Sequence, residues 1–182
     1  MGRVLIAGDF SSKDTVSLAR DLLGKYLVMG EYAAPIVEAE AYDGPEDLAC
    51  HASKGRTKRT EVMFGKPGVW YVYLIYGMHE MLNIVTGPKD YPAAILIRGL
   101  GGVVGPGRLT RRFGVDRKFN GLPAKPSNGL YIEDRGNDIL DADVEVTSRI
   151  GVDYAGPDWS QRPYRFVLNE SGWRHLQRRL PQ

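Results

Sequence analysis

The chain has 182 residues and a single cysteine, Cys50. One cysteine excludes an internal disulfide framework and any metal centre built from thiolates. Histidine is equally scarce: His51, His79 and His175 stand in separate contexts without ligand spacing, so no metal site and no cofactor is expected. Apolar runs fall well short of the roughly 20 residues that cross a bilayer. The opening MGRVLIAGDFSS lacks the apolar run and cleavage pattern of a secretory leader, which argues against secretion. There is no G-x-S-x-G elbow, no phosphate-binding P-loop and no G-x-G-x-x-G after a strand, so the common signatures of serine hydrolases, nucleotide triphosphatases and dinucleotide enzymes are missing. Net charge is only +2, and neither sign dominates overall.

The remaining composition is that of a soluble globular protein, with 43% hydrophobic and 25% charged residues. The length suits one compact domain over residues 1–182, and neither repeats nor a linker divide it. Ser11 or Ser12 can cap a helix running to about Leu23, stopped by Gly24. Strands are expected at 25–29 and 36–42, and a hairpin at 69–75 and 80–86 turns around Tyr76-Gly77-Met78. A strand at 93–100, a basic helix near 108–113, late strands at 130–133, 144–149 and 164–168, and a short helix at 172–180 complete the pattern. Strands outweigh helices without regular βαβ alternation. The fold class is therefore α+β, with a curved mixed or mainly antiparallel sheet, flanking helices and a protruding β-hairpin.

Charge is segregated along the chain. Residues 31–50 hold six acids and no Lys or Arg, whereas residues 98–125 hold seven Lys or Arg against one acid, Asp116. Lys54, Arg56, Lys58 and Arg59 form a second basic stretch. Such stretches can face phosphates, or can be ordinary solvated charge. Within the acidic segment, strand alternation puts Glu38, Glu40 and Tyr42 on one face and Val37, Ala39 and Ala41 on the other. Two same-face carboxylates in a recess resist double ionisation, and one can then activate water; on an open surface they are merely solvated acids. In the hairpin, Tyr71 and Tyr73 share a face opposite Trp70, Val72 and Leu74. Two tyrosines on one face make a stacking platform for bases, though tyrosine is also a routine strand residue. Tyr76 at the tip is placed to act as a wedge in a base stack. His51 can stack, donate or shuttle a proton.

Read in order, IVEAEAYDGPEDLACH, MFGKPGVWYVYLIYGMHEMLN, ILIRGL and GPGRLT, with SRIGVDYAG and RPYRFVL later, resemble the alkyladenine (3-methyladenine) DNA glycosylase family of animals and many bacteria. The resemblance runs from about Asp14 to Trp173. It implies a single α+β domain and a monofunctional glycosylase, which flips an alkylated purine out of duplex DNA and hydrolyses its glycosidic bond with an activated water. Glu40 would deprotonate that water, with Arg98 beside it. Tyr42, His51 and Tyr73 would sandwich the base, while Asn83 and Leu96 would border the pocket and Asn83 would disfavour the exocyclic amine of guanine. Tyr76 would fill the gap in the duplex, with Met78 next to it on the DNA side and Arg56 in the basic loop near the backbone. The partner is double-stranded DNA with damaged purines; no membrane and no obligate protein partner is expected, and the chain should act as a monomer. The compartment would be the cytoplasm or nucleoid of a bacterium or archaeon, or a eukaryotic nucleus. The chain departs from the animal proteins in a loop one residue shorter between His51 and Met63, and in His79 and Glu80 where those carry aromatic residues. A non-catalytic module binding damaged DNA or RNA, and a nucleoside hydrolase, are the alternatives from other classes.

Overall fold

The computed structural model describes residues 2–178. Its strands are β1 (Arg3–Val4), β2 (Tyr26–Met29), β3 (Tyr32–Asp43), β4 (Trp70–Ile75), β5 (His79–Val85), β6 (Ala93–Leu100), β7 (Val103–Val104), β8 (Leu130–Asp134), β9 (Val144–Thr147) and β10 (Arg165–Leu168). The α-helices are α1 (Thr15–Asp21), α2 (Pro106–Phe113), α3 (Gly156–Ser160) and α4 (Glu170–Gln177). The last helix expected from sequence therefore starts two residues earlier, and Arg179 and Leu180 lie outside the described residues. Nor is α1 capped by Ser11 or Ser12: Asp14 takes that place, its carboxylate accepting from Ser17 N–H at 2.9 Å. An ionised cap also favours the positive end of the helix dipole, which a serine hydroxyl does not.

The strands form one sheet in the order β1-β8-β2-β3-β6-β5-β4, with β10 joining β3 and β9, and β7 joining β6. Every pairing among the described residues is antiparallel. The fold is thus α+β with an antiparallel sheet. β3 is the organising strand, since it pairs with β2 at its start and then with both β6 and β10. The switch falls at Pro35, the last residue opposite β2; its missing N–H costs nothing where one ladder ends and the next begins. Register shifts between Ile36, Glu38 and Ala39 then bend the strand, as bulges do.

One face of β3–β6–β5–β4 carries the main core. Ala39, Ala41, Trp70, Val72, Leu82, Ile84, Ile95 and Ile97 pack there with Leu18, Leu22 and Leu23 near α1 and with Leu109 and Phe113 of α2. Each such aliphatic side chain contributes roughly 1.5–3 kcal/mol by leaving water. The opposite face bears a separate cluster of Cys50, Ala52, Met63, Tyr71, Val85 and Ala94, with Tyr42 and Tyr73 against it. No described helix is long and apolar enough to cross a membrane.

α2 is locked to the hairpin. Thr110 Oγ1 donates to the Glu80 carbonyl at 3.0 Å, and a Cβ on Gly107 would meet His79 Nδ1 at 2.9 Å, so only glycine permits that approach. Leu109 and Phe113 face inward, which leaves Arg108, Arg111 and Arg112 exposed, Arg112 on the side of Tyr32–Ala34.

Candidate active site

One row of the ladder assembles the floor of the site. Tyr71 pairs with Asn83, Asn83 with Leu96, Leu96 with Glu40, and Glu40 with Arg165. Five strands thus each bring one residue to one line across the sheet because the register fixes them there, all on the face away from the main core. Above this row lies a cavity of about 240 Å³, lined by Tyr42, His51, Tyr71, Tyr73, Tyr76, Asn83, Leu96 and Arg98 among others, with Ile150, Gly151, Val152 and Tyr154 closing the opposite wall. That is smaller than the ~300–1,000 Å³ of drug-sized sites and suits one flat ring system. A larger hollow of about 350 Å³ between α1 and residues 134–139 has a charged rim but no aromatic platform and no buried carboxylate.

Glu40 is fully buried, at 0% exposure, just beneath the cavity wall. Its Oε2 accepts from the Tyr42 hydroxyl at 2.8 Å, its Oε1 from the Ile150 N–H at 2.8 Å, and Arg98 Nε lies 3.4 Å from Oε1. Tyr42, Ile150 and Arg98 all line the cavity, so the carboxylate sits behind the corner where these three meet. Burial pushes the Glu40 carboxyl above its usual range; Arg98, the Ile150 N–H and the Tyr42 hydroxyl pull it back without prevailing, and neighbouring Glu38 adds a smaller upward push. Arg98 is mainly committed to Glu38, donating from Nε at 2.9 Å, while Arg165 Nε donates to the same Glu38 oxygen at 2.7 Å. The two same-face acids are thus differentiated: Glu38 is neutralised by two arginines, and Glu40 is left as the carboxylate with the perturbed proton affinity.

The aromatic walls are equally defined. His51 lies edge-on to Tyr73, ring centroids 4.7 Å apart, and its Nδ1 is 3.2 Å from the Tyr71 hydroxyl. Burial first, then the charges of Arg59 and Lys54, lower His51 to about 4, so the ring is neutral at physiological pH. The phenols of Tyr71, Tyr73 and Tyr42 are all pushed up, chiefly by burial, and stay protonated. Asn83 Nδ2 donates to the Tyr71 and Met81 carbonyls at 3.2 and 3.3 Å, which fixes the orientation of its amide. At the hairpin tip Tyr76 is 85% exposed with φ 52°, a left-handed conformation that side chains other than glycine rarely adopt. Gly77 follows with φ 68°, and the Met78 N–H donates to the Ile75 carbonyl at 3.2 Å to close the turn. Met78 is also exposed.

Arg56, expected near a DNA backbone, is held by Glu61 and Asp90 at 2.9 and 2.6 Å and stacks over Phe64. Glu80, the acid after the tip, is partly neutralised by Arg117 at 3.3 Å.

Sequence reasoning missed the support behind the site. Asp47 and Arg149 are a fully buried ion pair; Arg149 Nη2 donates to Asp47 Oδ1 at 2.9 Å, and Nη1 also donates to the Ala41 carbonyl at 2.9 Å. The guanidinium lies over the rings of Tyr42 and Tyr164, at 4.9 and 5.1 Å. Arg149 therefore anchors both the back of Tyr42 and the segment whose next residue gives Glu40 its N–H. The only sequence signal was a lone Asp in GPED and a lone Arg in SRIG. Tyr71, read only as half of a platform, proves to be the hydrogen-bond partner of His51.

Comparison with known proteins identifies the family. A family model described as methylpurine-DNA glycosylase matches residues 9–104 and 101–172. A protein of Methanocella arvoryzae is 45% identical over 90% of this chain and 92% of its own length. One from Anaeromyxobacter sp. is 42% identical over 90% and 88%, and one from Legionella pneumophila is 43% identical over 89% and 93%. All three bear the name "Putative 3-methyladenine DNA glycosylase".

Proposed function

This chain belongs to the methylpurine-DNA glycosylase family, and we propose that it excises 3-methyladenine and related alkylated purines from duplex DNA by hydrolysis at a flipped-out nucleotide. The observation that carries the site assignment is the fully buried Glu40, held by Tyr42, Ile150 and Arg98 behind an aromatic cavity of nucleobase size. A base inside a duplex cannot enter such a recess, so the nucleotide leaves the stack at a cost of a few kcal/mol, least where damage has weakened pairing. Tyr76, exposed on a tight turn at the cavity mouth, takes the vacated place in the duplex. The exposed arginines of α2, clamped to the same hairpin, meet phosphates on that side.

In the cavity the electron-rich rings of Tyr42 and Tyr73, with neutral His51, receive the base. A methylated purine carrying positive charge is attracted to such faces. As the C1′–N bond breaks, its electron pair leaves with the base and the sugar gains oxocarbenium character. Water adds its oxygen to C1′ and gives a proton to Glu40, so 3-methyladenine departs neutral and an abasic site remains. No lysine lines the cavity among the described residues, which fits a monofunctional enzyme without a Schiff-base step. Glu40 must be ionised to act, so the raised proton affinity makes it a stronger base at the expense of activity in acid.

The test is single-turnover release of 3-methyladenine from methylated duplex DNA by wild type and Glu40→Gln. General-base loss is expected to cost roughly 10²–10⁴-fold in rate, with DNA binding retained. Binding without release by wild type would mark a lesion-binding module instead. Equal release by both proteins would remove Glu40 from the centre of the mechanism.

A further inference from the structure

The basic loop before β4 divides its arginines between two tasks. Arg56 turns outward to Glu61 and Asp90. Arg59 has no carboxylate partner among the described residues; its guanidinium lies over the Tyr73 ring, 4.9 Å from the centroid. The backbone that presents it is fixed. Thr60 is buried, its Oγ1 donates to the Gly55 carbonyl at 3.0 Å, and it accepts from the Thr57 N–H at 2.9 Å. The charge of Arg59 acts across the cavity on residues of three segments: burial lowers His51 and raises Tyr71, Tyr73 and Tyr154, and Arg59 adds to the first effect and opposes the second. The other arginines at the site are neutralised, Arg98 by Glu38 and Glu40, Arg165 by Glu38 and Arg149 by Asp47. Arg59 is thus the arginine beside the aromatic cage without a carboxylate partner among the described residues; Lys54, also unpaired there, acts on His51 but on none of the phenols.

We infer that Arg59 is a specificity-determining residue, which shifts the enzyme's preference from cationic alkylated purines towards neutral damaged purines such as hypoxanthine. This rests on the glycosylase reading. The two substrate classes differ in the charge on the departing base. A neutral purine takes the glycosidic electron pair and becomes negative until it gains a proton, so a fixed cation beside the ring stabilises its transition state. A cationic purine remains partly positive through bond breaking, and the same cation repels it at every stage after it enters the cage. Attraction of Arg59 to DNA phosphates would help both classes equally and cancels in their ratio.

The experiment measures second-order single-turnover constants for 3-methyladenine in methylated duplex DNA and for hypoxanthine in a duplex oligonucleotide, with wild type, Arg59→Gln and Arg59→Lys. The ratio of hypoxanthine to 3-methyladenine excision should fall about ten-fold in Arg59→Gln, in line with loss of one charge at the reacting base. It should fall less in Arg59→Lys, which keeps the charge. An equal fall for both lesions in Arg59→Gln would make Arg59 an ordinary phosphate contact and overturn the inference. So would wild-type protein that releases 3-methyladenine but never hypoxanthine. Wild type that releases neither base defeats the glycosylase reading itself, a distinct result.

Discussion

The two faces of β3–β6–β5–β4 are made by alternate residues of the same strands, yet they obey different rules. The core face is filled with Ile, Leu, Val, Ala and Trp, and Trp70 finds a partner for its one polar atom, Nε1, in the Leu130 carbonyl at 3.1 Å. The opposite face keeps a cavity open, buries Glu40 and Tyr71 beside it and half-buries Tyr42, Tyr73 and His51. Stability on the first face comes from area removed from water. On the second, each polar group must be matched by hydrogen bonds, and the matching leaves proton affinities displaced at Glu40 and His51. The comparison shows one strand serving a core and the proposed reaction centre because side chains alternate while the backbone is shared.

The sharpest way to break this contrast is at the support of the polar face. Arg149→Met would leave Asp47 buried without its partner and should cost about 3–5 kcal/mol of stability, read as a lowered denaturation midpoint. Excision should fall with it in the fraction still folded, because Ile150 loses its anchor beside Glu40. Unchanged stability would show that water reaches Asp47 and that the pair is not sealed.

Next in size is a matched pair of truncations on the two faces. Ile84→Ala on the core face should cost about 2–5 kcal/mol of stability and leave the excision rate of the folded protein nearly intact. Tyr73→Ala on the cavity face should weaken lesion binding by about 1–3 kcal/mol, the value of one base–aromatic stack, with a smaller stability loss. If both substitutions act mainly on stability, the second face is only another core.

The smallest expected effect is a displaced pH limb. Burial raises Glu40 above the ordinary 4.5, so excision should fall with acid through a limb above the usual glutamate range and vanish below it. His51, lowered to about 4, should add no limb near its ordinary 6.5. The stability signs are opposite for the two groups. Glu40 binds its proton more tightly folded than unfolded, so its contribution weakens as pH rises from 4.5 through its folded value. His51 binds its proton less tightly folded, so its contribution weakens as pH falls from 6.5 towards 4. A rate profile centred on 6.5, or an acid limb at 4.5, would contradict these assignments.

Local pattern made much of this legible. Alternation in VEAEAY separated Ala39 and Ala41 from Glu38, Glu40 and Tyr42, and the core took the first set while the polar face took the second. The hairpin was readable because Tyr76-Gly77 sits between two strand-like runs, and both residues adopt the positive φ that such turns need. The cap of α1 was misread because three residues able to cap, Ser11, Ser12 and Asp14, precede the helix, and which one caps it depends on where the chain leaves the preceding turn Asp9–Ser11.

The sequence alone determined the class of fold, the strands that carry the acids and tyrosines, and the family, and it singled out Glu40 as the proposed base, because these depend on spacing within one segment. Only the tertiary structure decided which acid was neutralised and which was perturbed. Arg165 reaches Glu38 across 127 residues, Ile150 reaches Glu40 across 110, and Arg149 reaches Asp47 across 102. Such partners are set by sheet register and by how a distant segment packs over it, and no periodicity within a strand encodes them. The direction of a buried carboxyl's proton affinity is a small difference between desolvation and exactly this kind of remote hydrogen bond, so it exists only once the chain has closed around it.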